Sequence, residues 1–371
     1  MFGIFQLPEE INKPDLKKFM REHITSALNK GVIIPWPELS KMLPEEEDLI
    51  SAKYYYETLI SEDTFKSLFQ TKSFTEFYFH GPGKVRYLNI QGQKETTSFE
   101  IDEDSWQLWL EIIAIKYKQN WNCQTPFVSF RAEINGHPYR FSLLHHQATS
   151  SSHSTLIIRN LQLRTLPLNA FGEVPHLEKL IEQKKNVLIC GGTGSGKTSL
   201  INSLLAHCPE EEHLVVLEDT QEIILPHSFC TRFLAHEHPS YSLEHFLTYS
   251  LRLSPDRIVL GEIRSKEVVS YLLAMNTGHR GVLTTIHSNS ALEGLHRLQM
   301  LFGLYGKGVE MGQSMNLICQ NIDCVIFIEN KQIKEIIKPL GQENGFPFYE
   351  TLFQAQNFGQ SPRSDSCIKG H

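Results

Sequence analysis

NVLICGGTGSGKTSLINSLLAH, residues 186–207, is the stretch on which the fold turns. Val187-Leu188-Ile189-Cys190 is an unbroken apolar run, the pattern of a strand buried on both faces. The next eight residues, Gly191-Gly192-Thr193-Gly194-Ser195-Gly196-Lys197-Thr198, satisfy G-x-x-x-x-G-K-[ST]. A helical pattern, SLINSLL, follows at once. Strand, glycine loop and helix in that order form a cradle for phosphate. Glycines let the backbone wrap an anion closely, and the N–H groups of the loop and helix start point at it. All eight loop residues are therefore assigned to nucleotide binding. Lys197 would reach the β- and γ-phosphates, and the Thr198 hydroxyl would hold magnesium. A flexible glycine turn with a chance lysine would lack the flanking strand and helix.

Working outward from that loop, further short apolar runs alternate with helical patterns. HLVVLE (213–218), RIVLG (257–261), VLTTIH (282–287) and IDCVIFI (322–328) read as strands. The alternation predicts a parallel sheet covered on both faces, with all carboxyl ends opening on one crevice. The first three of these runs each deliver a reactive group to that rim. The first ends in Glu218 and Asp219, with Glu222 close behind. Glu218 and Asp219 are candidate magnesium ligands, directly or through water, and Glu218 also a candidate to polarise the attacking water. In PDRIVLGEIR (255–264), Gly261 leaves room beside a phosphate and Glu262 is the candidate catalytic base. His287 closes the third run, placed to bond phosphate, acid or water. Bland alternatives stand beside each: a solvated loop for 218–222, a surface acid at 262, a satisfied structural histidine at 287.

The remainder bounds the problem. The 371 residues suffice for two domains, and 41% hydrophobic with 21% charged residues is ordinary for folded protein. A net charge of −7 argues against binding nucleic acid or acidic lipid by bulk electrostatics. Seven cysteines, odd in number and without a CxxC pair, fit free thiols better than disulfides or zinc. No signal-peptide pattern and no apolar run of ~18 residues is present, so a cytoplasmic protein is expected.

Residues 1–60 are charged and partly helical: Leu16, Phe19, Ile24 and Leu28 recur at helix spacing before Gly31. The acidic PEEED (44–48) reads as a solvated helix start. From 61 to 160 hairpins are predicted around Gly81-Pro82-Gly83 and Asn135-Gly136. A helix over SWQLWLEIIAIKYKQNW lies between them. ATSSSHS (148–154) reads as a mobile loop and STLIIRNL as a strand. Residues 161–172 read as an interdomain linker, 173–371 as the second domain, and the tail after 340 has little pattern.

GGTGSGKT, EDTQE, LRLSPDRIVLGEIR and NTGHRGVLTTIHSNSA together resemble the Walker A, aspartate box, atypical Walker B and histidine box of the secretion ATPases. The likeness runs from about 185 to 300. IDCVIFIENKQIKEI resembles the hairpin-like end of the same domain. Within that superfamily the chain is most similar to the Flp/Tad-type pilus and type IV secretion branch, and it lacks the four-cysteine zinc insert common in the type II branch. The resemblance implies a RecA-like P-loop domain preceded by a smaller α+β, PAS-like domain, with ATP and Mg2+ bound. It also implies a homo-hexameric ring that drives an inner-membrane platform of a pilus or secretion machine from the cytoplasmic side. TEFYFHGPGKV is similar to a strand-and-turn motif of the family's first domain, with His80 where asparagine is usual. In the family, arginines of that domain close over the terminal phosphate. STLIIRNL puts Arg159 in one such place, and NGHPYRF puts Arg140 in the other, across a turn two residues longer. A nucleotide-gated scaffold with little turnover and a nucleic-acid translocase are the rival readings; neither zinc nor nucleic acid is expected.

Overall fold

The computed structural model describes residues 14–355, apart from 44–48, 62–64, 66–67, 70–72, 100, 162–164, 236–240 and 307–310. The acidic 44–48 segment and the tail after 355 thus lie outside the described residues. The chain divides into two compact units, Met1–Gln162 and Leu163–His371.

The first unit is built on a six-stranded antiparallel sheet: β1 (Phe74–Phe79), β2 (Gly83–Asn89), β3 (Lys94–Phe99), β4 (Phe127–Ile134), β5 (His137–Leu144) and β6 (Thr155–Asn160), in the order β3-β2-β1-β6-β5-β4. Both predicted hairpins are present. Asn135 and Gly136 take φ of 54° and 75°, the left-handed pair that a two-residue turn between twisted strands requires. The helix Glu103–Lys116 starts where Asp102 accepts a hydrogen bond from the Ser105 N–H, and it buries Trp106 and Trp109. In the helix Pro14–Leu28, Leu16, Met20, Ile24 and Leu28 form one apolar stripe and join the same core as Phe77, Phe79 and the two tryptophans. Residues before 61, set apart by sequence as an extension, therefore share the sheet's core. The serine-rich loop is pinned at its end. The buried Ser154 hydroxyl accepts from His146 N–H and donates to Gln107, while its carbonyl accepts from the Trp106 indole.

The second unit carries an eight-stranded sheet: β7 (Val187–Cys190), β8 (Leu214–Glu218), β9 (Cys230–Leu234), β10 (Arg257–Leu260), β11 (Leu283–Ile286), β12 (Cys324–Glu329), β13 (Gln332–Glu343) and β14 (Phe346–Gln354), in the order β14-β13-β12-β7-β11-β10-β8-β9. From β12 to β9 every neighbour is parallel; β13 and β14 are antiparallel additions at one edge. Alternate residues of β7 enter different cores: Leu188 and Cys190 face one, Val187 and Ile189 the other. That double burial is why the strand reads as continuous apolar sequence. The expected linker 161–172 ends inside this unit, since Phe171 is fully buried and Gln332 Nε2 donates to the Ala170 carbonyl. Among the described residues no helix is long and apolar enough to cross a membrane.

At the amino ends of these strands Arg257 is wholly buried. Its guanidinium donates to Glu212 Oε2 at 3.0 Å and to the carbonyls of Ile181 and Gly281. Lys184 Nζ lies 3.2 Å from the other Glu212 oxygen.

Candidate nucleotide site

The strand order sets the carboxyl ends of β7, β11, β10 and β8 side by side, which brings the predicted groups of the second unit to one rim. The loop after β7 is shaped by its glycines. Gly194 and Gly196 take φ of 72° and 104°, Gly196 being the cap of the helix Lys197–Leu205. Gly191 has no room for a side chain: a Cβ there would lie 2.4 Å from the Ile328 carbonyl oxygen and 2.5 Å from Ser195 Oγ.

Lys197 is buried inside this cup. Its Nζ donates to the carbonyls of Gly191 at 2.9 Å and Gly192 at 2.8 Å and lies 3.1 Å from His287 Nδ1. Burial lowers the Lys197 pKa, and the nearby Glu262 carboxylate works against that shift. His287 is displaced downward as well, by burial and then by the lysine charge. A neutral ring follows near pH 7. Nδ1 faces both the Lys197 ammonium at 3.1 Å and the Gly191 carbonyl at 3.2 Å, while Nε2 lies 2.9 Å from Glu262 Oε1. That contact is off the N–H direction, and Oε1 is buried without an aligned donor. The other Glu262 oxygen accepts from Arg264 Nη2 at 2.6 Å, and Arg264 Nη1 reaches Asp219 Oδ2 at 2.6 Å.

Glu218 departs from its expected place as catalytic group and metal ligand. It is almost fully buried, and its Oε1 accepts the N–H groups of Glu222 and Ile223, both at 2.7 Å. Its Oε2 lies 3.1 Å from Arg232 Nε. Burial outweighs these partners and pushes its pKa up to about 7. Glu218 therefore folds the 218–223 turn instead of facing the crevice. The acid beside Thr198 is Glu222: Thr198 Oγ1 donates to its Oε2 at 3.4 Å, and Asn202 ties the same loop to the helix through the Glu222 carbonyl and Ile224 N–H. Glu222 stood in the sequence at the right rim; only its greater reach past the turn distinguishes it from Glu218.

An anionic ligand fits this site. Ser195 Oγ is buried without a partner, Gly192 and Gly194 face open space where a side chain would stand, and among the described residues the lysine ammonium is bonded to loop carbonyls and a histidine. The hydroxyl and carboxylate of Thr198 and Glu222 are hard oxygen donors suited to magnesium.

Arg159 and Arg140 belong to the first unit. They are direct cross-strand partners, and Arg131 follows on the far side of Arg140, so three arginines form one row across β6, β5 and β4. The row ends on β1, where Glu76 pairs with Arg159. Like charges placed opposite one another in a sheet repel.

This loop, lysine and acidic rim on a parallel sheet define a P-loop domain of RecA-like topology. The chain belongs to the family of Type II/IV secretion system proteins, whose match covers residues 134–355. Conjugal transfer protein TrbB of Rhizobium radiobacter is 32% identical over 250 residues, 63% of this chain and 73% of that protein. Protein VirB11 of the same organism is 34% identical over 156 residues, 40% of this chain and 46% of its own length. The ATPase DotB of Legionella pneumophila shares the fold with a TM-score of 0.57 at 15% identity, over 79% of this chain and 80% of that one.

Proposed function

We propose that this chain hydrolyses ATP and works as a motor subunit of a type IV secretion or Flp/Tad-type pilus machine. The observation that carries the reading is the convergence of Lys197, His287 and Glu262 within hydrogen-bond distances at the mouth of a glycine loop. Lys197 and the loop N–H groups bind the phosphates. Glu262 takes the proton from the attacking water through Oε1, the oxygen left without an aligned donor, and the neutral His287 ring orients that carboxylate. Thr198 and Glu222, with Asp219 through water, hold Mg2+, which supplies charge neutralisation at the phosphates. The row of Arg159 and Arg140 offers the terminal phosphate a matching positive surface once Glu76 is displaced. The name of TrbB, a conjugal transfer protein, and the family description support a conjugation or secretion machine as the setting. The motif resemblance alone adds an inner-membrane platform as partner and a six-membered ring as the working assembly.

Phosphate release from ATP, measured with and without single-stranded DNA, tests this reading. Mg2+-dependent turnover that is indifferent to DNA is expected; absence of turnover under conditions where the protein sediments as a ring would leave only a nucleotide-gated scaffold. Sedimentation as monomer at micromolar protein and saturating ATP contradicts the ring.

A further inference from the structure

The arginine at the end of the β10 rim is given no role by the loop chemistry, and its contacts are unlike those of an ordinary surface ion pair. Arg264 is half exposed, so solvent screens its two bonds and they add little to fold stability. Yet both bonds are short, 2.6 Å, and each prong of the planar guanidinium holds a different acid, Glu262 just after β10 and Asp219 just after β8. The backbone at this point is fixed independently, because Glu267 accepts both the Arg264 and the Ser265 N–H. The side chain thus springs from a rigid turn. Its effect on Glu262 is selective. Oε2 is engaged by Nη2, while Oε1 is turned inward toward His287 and left buried with no aligned donor. A carboxylate held by one oxygen presents the other in a single direction, and a base must be placed within hydrogen-bond reach of the proton it removes. A lysine, as a point charge without a fork, could bridge Glu262 and Asp219 only poorly.

We propose that Arg264 is a positioning residue that selects Oε1 of Glu262 as the oxygen acting on water, by clamping Oε2 and anchoring itself on Asp219. This inference rests on the ATP-hydrolysis reading above.

The test is a double-mutant cycle in steady-state ATP hydrolysis on the full chain, with Arg264→Ala, Glu262→Gln and the pair, plus Arg264→Lys. Arg264→Ala should lower kcat on the order of 10–100-fold, as small misplacements of a reacting group do, with the KM for ATP unchanged within about threefold. Arg264→Lys should recover part of kcat. The double variant should be no slower than Glu262→Gln alone, because an arginine that acts through Glu262 has nothing left to position. Multiplying costs in the double variant, or a raised KM with kcat intact, would overturn the proposal and make Arg264 a direct phosphate contact. Failure of Glu262→Gln itself to slow turnover would overturn the proposal by removing Glu262 as the base, whereas absence of turnover in the unaltered chain would overturn the hydrolysis reading, which keeps the two outcomes separate.

Discussion

Strand β8 has a buried glutamate at each of its ends, and the two are used in opposite ways. Glu212, just before the strand, has both oxygens engaged by cations: Arg257 on one, Lys184 on the other. Burial would raise its pKa, but Arg257 and the neighbouring donors outweigh that and hold it below the usual carboxylate value. Glu218, at the far end, has two backbone N–H groups and one arginine, and burial wins, up to about 7. The same contrast extends across the sheet. At the amino ends the charges close on one another: Arg257 is wholly buried and bonded to Glu212 and two carbonyls. At the carboxyl ends the polar groups leave bonding capacity over, on Ser195 Oγ and Glu262 Oε1. One edge of the sheet stabilises the fold, and the other is left open for a ligand.

The comparison can be broken by exchanging the expected outcomes. Arg257→Ala should destabilise the second unit by about 3–5 kcal/mol, the cost of leaving a buried charge without its partner. Urea unfolding followed by far-UV circular dichroism reads this directly; a loss below about 1 kcal/mol would mean that the amino-end cluster is not structural. Lys197→Ala should do the converse. It should leave the unfolding midpoint nearly in place and weaken ATP binding by the worth of a charged hydrogen bond, about 1.5–3 kcal/mol, read by fluorescence titration. Normal ATP affinity in a folded Lys197→Ala protein would remove the phosphate-loop assignment.

A smaller effect sharpens the contrast through pH. The folded-state pKa of Glu212 is lowered, so its contribution is fully present above its ordinary value near 4.5 and is lost as pH falls through the lower folded value. Subtracting the unfolding free energies of Glu212→Gln from those of the unaltered chain should therefore give a difference that shrinks only below about pH 4.5. A difference constant across that range would show that Arg257 does not hold the carboxylate.

The parallel strands and the glycine loop were legible because they depend on local sequence: apolar runs, glycines where the backbone must turn, a lysine at a fixed offset. β9 was not, since every residue of Cys230–Leu234 is half buried and the strand has neither a continuous apolar run nor alternation. The β13–β14 hairpin was missed although Asn344-Gly345 is the same turn signal used at Asn135-Gly136, and both residues take positive φ. Its long strands carry charge and exposed aromatics, which hid the pattern. At the site, the strand ends alone point Glu262 and His287 to one rim, and the folded chain holds them 2.9 Å apart. The burial of Glu218 was out of reach, because it depends on Arg232 from β9 and on the turn at 222–223, partners that only the folded chain supplies. Arg257 was passed over for the same reason: nothing in PDRIVLGEIR tells a buried arginine from a solvated one.

The open rim makes its strongest claim on Glu262. Phosphate release in a single turnover, started by adding Mg2+ to protein already loaded with ATP, separates chemistry from binding in the unaltered chain and in Glu262→Gln. Glu262→Gln should retain ATP and release phosphate on the order of 10²–10⁴ times more slowly, the usual worth of a positioned base. A slowing of less than tenfold with ATP fully bound would contradict the account and make Glu262 a rim acid without a part in the reaction.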